Sequence, residues 1–279
     1  LVDTGAHLDI EKITGATVER VSGEPGRMQV LLRRKARYVD LQCTGCSACV
    51  EQCPVRLDSE FDAGLVKRTA ISKRFPQAWP GALSIDKQGV SPCRLACPAG
   101  VNAHAYVALA AQGRYAEALD LERAANPFPA MLGRICTHPC EGDCTRAGHD
   151  DGLAIRALKR FLADWEGADP GRRRPAPAAA PRRAEKVAVV GSGPAGLTAA
   201  RELALRGYPV TILEAQAEPG GMLRYGIPEY RLPKAIVARE IREAVLDLGV
   251  ELRTGVRLGA GLALADLRRE YRAVILAIG

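Results

Sequence analysis

The sequence predicts an α/β protein: a Rossmann-like dinucleotide-binding domain near its end, preceded by helical and loop segments that gather cysteines for iron–sulfur clusters. Two observations carry that reading. A strand, glycine loop, helix and second strand fill residues 186–214, KVAVVGSGPAGLTAARELALRGYPVTILE, and nine cysteines fall in tight groups upstream. The ends add a third. The chain starts at Leu1 and stops at Gly279, directly behind the strand-like Ala273 to Ile278, so we expect an internal piece of a longer polypeptide with an incomplete Rossmann-like domain.

The run at 186–214 has the order a dinucleotide needs. Val187 to Val190 is a short β-branched apolar stretch suited to a buried parallel strand. In the loop Gly191-Ser192-Gly193-Pro194-Ala195-Gly196, Gly191 makes the tight turn and Gly193 lets backbone approach a pyrophosphate. Gly196 lets helix and strand pack closely. The following helix offers unpaired N–H groups and a partial positive charge to phosphate. Glu214, at the end of the second strand, is placed to accept hydrogen bonds from a ribose diol. A lone glycine motif can be only a turn, but here every flanking element is in register.

A composition of 47% hydrophobic and 25% charged residues is ordinary for a globular protein. No apolar run reaches membrane-spanning length, and no basic-then-apolar leader opens the chain. The net charge of +7 is concentrated at Arg33-Arg34-Lys35 with Arg37, and at Arg172 to Arg174 with Arg182 and Arg183. The second group lies in Pro/Ala-rich sequence without aromatics, which argues for a solvated linker and against nucleic acid. Nine cysteines without a secretion signal read as metal ligands in a reducing, cytoplasmic compartment.

In chain order, residues 1–38 hold two alternating segments, Ala16 to Val21 and Met28 to Leu32, around the turn Gly23-Glu24-Pro25-Gly26, which predicts a hairpin. The arginine cluster after it reads as a solvated strand end. Residues 39–90 contain Cys43, Cys46, Cys49 and Cys53-Pro54, the spacing of a bacterial ferredoxin run. A zinc knuckle usually separates its pairs by a dozen or more residues, which this run does not. From Phe61 to Gln88, with Pro76 and Pro80, the chain reads as loop.

Residues 91–168 carry Cys93 and Cys97, then Cys136, Cys140 and Cys144. Helices are predicted from the Asn102 cap to Gly113, over Tyr115 to Arg123, and over Leu153 to Trp165, with Phe161 and Trp165 in the core. His138 reads as a loop histidine bonded locally. Residues 169–184 are the linker, and 185–279 the dinucleotide domain, with an amphipathic helix through Ile236, Val237, Ile241, Ala244 and Val245 and a short strand at Glu251 to Arg253.

From about Cys93 onward the chain resembles the small subunit of glutamate synthase and the N-terminal half of dihydropyrimidine dehydrogenase. The segments are CRLACPAGV, QGRYAEAL, NPFP, GRICTHPCEGDC, IRALKRF, VAVVGSGPAGLTAA, EPGGMLRYGIPEYRLPK and VILAIG. Before residue 90, VSGEPG, ARYVD, CTGCSACVEQCPV, EFDAGLVKR and FPQAWP are similar to the A subunit of heterodisulfide reductase, in which such a stretch closes a flavin domain.

The first resemblance implies FAD at the glycine loop, contacted by Gly191, Ser192, Gly193, Pro194, Ala195, Gly196 and Glu214, with Gly221, Met222, Arg231 and Val256 as further contacts. It implies two [4Fe–4S] clusters. In the family, Cys93 and Cys144 share one cluster with two cysteines that here are Ile85 and Gln88. Cys97, Cys136 and Cys140 share the other with a Glu or Gln, here Lys159, whose ammonium has no lone pair to give iron. The second resemblance would let Cys97 complete the cluster of Cys43, Cys46 and Cys49. We expect two clusters: one on Cys43, Cys46 and Cys49 with its fourth ligand open, the other on Cys136, Cys140, Cys144 and either Cys93 or Cys97.

The function expected is an FAD- and [4Fe–4S]-dependent oxidoreductase module with no catalytic side chain of its own. It would pass electrons between NAD(P)H, bound in a part beyond Gly279, and a protein or small-molecule acceptor in a larger complex. The alternatives are a non-catalytic relay subunit of a heterodisulfide reductase-like or bifurcating complex, and a zinc-stapled nucleotide-binding domain.

Overall fold

The computed structural model describes the chain except residues 1, 8, 41, 74, 76, 88, 174, 176 and 178. Leu1, Pro76, Gln88 and Arg174, named above, therefore lie outside the described residues. The chain divides into two compact units, residues 1–89 and 90–279.

The first unit begins with a short helix, α1 (Val2–Ala6), and the expected hairpin, β1 (Ala16–Ser22) antiparallel to β2 (Gln29–Arg34) with a bulge between Val18 and Arg20. Gly23 permits the turn: its φ is 109°, and a Cβ there would fall 2.3 Å from the Arg27 carbonyl oxygen. The arginines beyond are not all solvated. Arg37 donates to the Ala82 carbonyl at 2.6 Å, because those carbonyls sit on a turn of the same unit. After α2 (Ala48–Glu51), the stretch read as loop forms two small antiparallel pairs. These are β3 (Arg56–Asp58) with β4 (Lys67–Thr69), and β5 (Ile71–Ser72) with β6 (Ser84–Ile85).

The second unit starts with helices α3 (Pro92–Leu95), α4 (Ala103–Ala111), α5 (Tyr115–Arg123), α6 (Pro129–Ile135), α7 (Pro139–Gly142) and α8 (Ile155–Gly167). The helix α6 was not expected from sequence. Pro129 suits its first turn, and Gly133 lets α6 press on α8, where a Cβ would lie 2.8 Å from the Arg160 Cα. Phe161 is 46% exposed rather than core; it and Trp165 each set a ring edge-on to Tyr115 at 5.3 Å.

The Rossmann-like part comprises β7 (Val187–Val190), α9 (Pro194–Leu205), β8 (Val210–Leu213), α10 (Met222–Tyr225), α11 (Lys234–Ala244), β9 (Glu251–Arg253), α12 (Leu264–Glu270) and β10 (Ala273–Leu276). Its strands form one parallel sheet in the order β10-β7-β8-β9. The sheet is buried at β7 and β8, as continuous apolar runs require.

The core is not divided at the linker. Phe128 and Met131 of the helical part pack with Val189, Leu197, Ile212, Val237 and Ile241. Glu240 of α11, fully buried, accepts the backbone N–H groups of Ala130 at 2.8 Å and Met131 at 2.7 Å. The linker itself is fastened: Arg173 donates to the Glu243 carbonyl at 2.8 Å, and the Ala180 N–H donates to the Leu205 carbonyl at 2.9 Å. The Arg183 N–H reaches the Gly207 carbonyl at 2.8 Å.

Candidate functional site

The glycine loop joins β7 to α9 at the carboxyl ends of the parallel strands, where α/β sheets open their ligand crevices. Gly191 has φ 104°, and a Cβ on it would lie 2.2 Å from the Ala277 carbonyl oxygen. A Cβ on Gly196 would strike the Gly191 carbonyl oxygen at 2.0 Å, so the helix and strand approach as only glycine allows. Gly193 differs: nothing lies within 4 Å of where its Cβ would be. Gly193 is the N-cap of α9, whose leading N–H groups have no intrahelical partner. Pro194 sits at the first helical position and with Ala195 is exposed at the mouth. The space above Gly193 and the free N–H groups fit a pyrophosphate.

Glu214 holds the loop as well as facing it. Its Oε2 accepts the Ser192 N–H at 2.9 Å and the Ser192 hydroxyl, and its Oε1 accepts the Gln216 N–H at 2.8 Å. The Ser192 Oγ in turn accepts the Gly220 N–H at 3.1 Å, tying the second glycine pair to the first. Burial pushes the Glu214 carboxyl upward, but the Ser192 hydroxyl and the N–H groups of Gln216, Ser192 and Ala215 outweigh it and hold the group below its ordinary range. A carboxylate has about four lone-pair positions, which leaves acceptor capacity for a diol. This clamp was not foreseen; the polar residue inside the glycine motif was its only local signal.

Gly221, at φ 51°, comes so near the loop that a Cβ would stand 2.9 Å from the Gly193 Cα, so the two predicted glycine segments meet. Met222 begins α10 and is 70% exposed. Val256 is joined to the acid directly, its N–H donating to the Glu214 carbonyl at 2.9 Å. Arg231 lies on the exposed turn before α11, its N–H on the Pro228 carbonyl at 3.0 Å.

All nine cysteines are free thiols. In the first unit, Cys46 and Cys49 are exposed and Cys43 and Cys53 half-buried. The loop takes left-handed backbone at Gly45 (φ 74°) and Ser47 (φ 68°), a conformation from which anion-binding nests are built. The backbone N–H groups of Leu83 and then Gly45 hold the Cys43 thiol below its ordinary range. Burial raises Cys53, but N–H groups of Ile71, Val55 and Ala70 prevail and lower it. Such donors also serve cluster thiolates.

In the second unit, α3 and α7 pack on each other, and α7 packs on α8. Cys93, Cys97 and Cys140 rest on the same apolar core around Tyr106 and Leu162. Cys140 is pushed up to about 11, first by burial and then by Cys136, with Cys97 and Glu141 adding and Lys159 opposing. The His138 N–H donates to the Cys136 Sγ at 3.3 Å, and the His138 ring pairs locally with Glu141 at 2.9 Å. Cys144 stands beside Gly152, whose Cβ would be 3.6 Å from its own.

Lys159 and Glu122 form a buried ion pair, Nζ to Oε1 3.8 Å, and Glu122 is raised to about 7 chiefly by burial. Tyr106 is also raised, by burial and by Glu122 and the nearby cysteines, and its hydroxyl donates to the Ile155 carbonyl at 2.9 Å. Among the described residues no three His, Cys, Asp or Glu side chains close on one ion-sized point. A cubane spreads its thiolates over four corners, so neighbouring free thiols with N–H donors are a fitting donor set. Among the described residues no helix is long and apolar enough to cross a membrane.

Two family models match. Residues 87–170 match dihydropyrimidine dehydrogenase domain II with its 4Fe-4S cluster, and residues 189–236 match the NAD(P)-binding Rossmann-like domain. The NADP(+)-dependent formate dehydrogenase subunit beta of Moorella thermoacetica is 44% identical over 68% of this chain and 29% of its own. The NADPH-Fe(3+) oxidoreductase subunit beta of Geobacter sulfurreducens is 41% identical over 70% of this chain and 29% of its own. The glutamate synthase [NADPH] small chain of Mycobacterium tuberculosis is 37% identical over 68% of this chain and 38% of its own. The chain thus spans less than half the length of these relatives. The matched part of the chain, a 4Fe-4S domain followed by a Rossmann-like domain, belongs with the glutamate synthase small chains, PreT-like dihydropyrimidine dehydrogenase subunits and NADPH-dependent oxidoreductase beta subunits.

Proposed function

We propose that the chain is part of an FAD- and [4Fe–4S]-dependent oxidoreductase that passes electrons between NAD(P)H and a protein or small-molecule acceptor within a larger complex. The observation that carries this is the close approach of Gly193 and Gly221 beside the Ser192–Glu214 clamp, in one compact unit with five free thiols. In this reading residues 39–90 are a ferredoxin-like segment, 91–168 the helical cluster domain and 185–279 the FAD domain.

Gly191, Ser192, Gly193, Pro194, Ala195 and Gly196 would hold the pyrophosphate, and Glu214 the ribose. Gly221, Met222, Arg231 and Val256 would complete the flavin side. The nine cysteines would hold two clusters. Bound FAD supplies two-electron exchange and the clusters one-electron relay. The residues themselves bind, orient and exclude water, and none is required as acid or base. NAD(P)H would bind in a further domain of the longer polypeptide.

The test is stoichiometry on anaerobically purified protein reconstituted with iron, sulfide and FAD. Two clusters and one bound flavin support the reading. Zinc without iron or labile sulfide overturns it in favour of a stapled nucleotide-binding domain, and clusters without flavin in favour of a relay subunit. The isolated chain is expected to leave dyes unreduced by NADPH, and the longer polypeptide to reduce them.

A further inference from the structure

Within the 90–279 unit, α5, α9, α11 and the linker border a cavity of about 380 Å³ that the proposed electron transfer does not use. Three guanidinium groups line it: Arg123 of α5, Arg201 of α9 and Arg173 of the linker. Two of them are engaged. The Glu166 carboxylate holds Arg123 at two points, Nη1 to Oε1 at 2.8 Å, and Arg173 donates to the Glu243 carbonyl at 2.8 Å. Arg201 has donors to spare. It is 7% exposed, yet among the described residues it gives only one of its five N–H groups to protein, from Nη1 to Glu202 Oε1 at 2.9 Å. Glu202 is itself divided, since its Oε2 accepts from Arg206 at 2.8 Å. Burial first, with the like charge of Arg123 adding, pulls the Arg201 guanidinium below its ordinary range despite Glu202. A buried, underbalanced cation on a cavity wall suits an anion.

The acids on the wall limit the charge of that anion. Glu240 is committed to the Ala130 and Met131 N–H groups, Glu243 pairs with Arg173 at 3.6 Å, and Asp120 stands at the exposed rim. Their negative charge repels a dianion more than a monoanion. Pro127, Leu205, Ala244 and Leu248 make much of the remaining wall apolar. Arg201 lies about 12 Å along α9 from the Gly193 N-cap, so the cavity is separate from the glycine loop.

We propose that this cavity binds a small organic monocarboxylate, its carboxylate on the remaining N–H groups of Arg201 and its apolar body against Leu205, Ala244 and Leu248. Bound there, the ligand touches the cluster helices and the dinucleotide helix together and stabilises their junction by mass action.

The test is calorimetric titration of the reconstituted protein with benzoate, benzyl alcohol and inorganic phosphate, with thermal melts beside it. Benzoate is expected to bind saturably at one site and raise the melting midpoint. Benzyl alcohol lacks the charge and phosphate the apolar body, and each should bind at least about tenfold more weakly. Arg201→Met should weaken benzoate by about tenfold or more, and Arg201→Lys, which keeps the charge without the fork, by less. Ala244→Leu leaves the guanidinium in place and fills the apolar wall, and it should weaken benzoate as well. Added FAD should leave benzoate affinity unchanged.

A folded wild type that does not bind benzoate saturably overturns the proposal, as does benzoate binding that FAD displaces. Binding of wild-type strength in Arg201→Met overturns it too, or in Ala244→Leu should the arginine variant fail to fold. Phosphate binding tighter than benzoate overturns the monocarboxylate assignment. Each of these results leaves the cluster and flavin stoichiometry, and with it the proposed function, untouched.

Discussion

Glu240 and Met131 stand 109 residues apart in the chain and are joined by a buried hydrogen bond of 2.7 Å. The same carboxylate takes the Ala130 N–H, so it caps α6 from the Rossmann-like part. Glu240→Ala leaves two buried N–H groups without acceptors, at about 1–3 kcal/mol each. We expect a loss of about 2–6 kcal/mol in urea unfolding. Glu240→Gln, which keeps one carbonyl acceptor, should lose less.

The same residue sets a pH dependence. Burial raises Glu240 to about 7, against the N–H donors and Arg123 and Arg239, which pull it down. A carboxyl with a raised folded pKa binds its proton more tightly folded than unfolded. Its contribution is therefore fully present below the unfolded value and is lost as pH rises through about 7. Wild-type stability minus that of Glu240→Gln should fall between pH 5 and pH 8, windows chosen about those values. A difference that rises over that range would refute the assignment.

Glu214 has the opposite sign, being held below its ordinary range by Ser192 and the loop N–H groups. Its contribution is present above the unfolded value and lost as pH falls through the folded one. Ser192→Ala removes the hydroxyl that bridges Glu214 and the Gly220 N–H. It should cost about 1–3 kcal/mol and steepen acid unfolding less than wild type, because less depression remains to lose. Urea midpoints from pH 3 to pH 7 would measure it, a range that brackets ordinary carboxyl values of about 4.

The glycines should separate folding from binding. Gly196→Ala puts a methyl 2.0 Å from the Gly191 carbonyl oxygen and is expected to unfold the loop. Gly193→Ala meets nothing within 4 Å and should leave thermal stability unchanged within about 0.5 kcal/mol. It fills the space left for the pyrophosphate, so FAD retention after gel filtration should drop more than tenfold, about 1.4 kcal/mol or more of binding.

The Rossmann-like run was legible because every local signal agreed: β7, α9 and β8 fall where the apolar runs and glycines put them. The helix from Tyr115 to Arg123 was read to the residue, since its apolar face and its stop are both local. α6 was not, because Pro129 and Gly133 are breakers in sequence but a helix start and a helix crossing in space. Strands of two or three residues such as β5 and β6 are too short to show alternation. The Glu240 cap and the Glu122–Lys159 pair depend on packing between distant segments, which no window of sequence contains. Phe161 lay on the right stripe, but its place at the rim was set by Tyr115.

Phe128 and Met131 fill the interior of a sheet domain whose first strand, β7, begins only at Val187, beyond α7, α8 and the linker. A Rossmann-like domain expressed from residue 185 would open a hole where those two side chains belong. A cut inside 169–184 would part Phe128 and Met131 from the sheet side chains they pack against, so the cluster helices and the dinucleotide fold are expected to be inherited as one cassette.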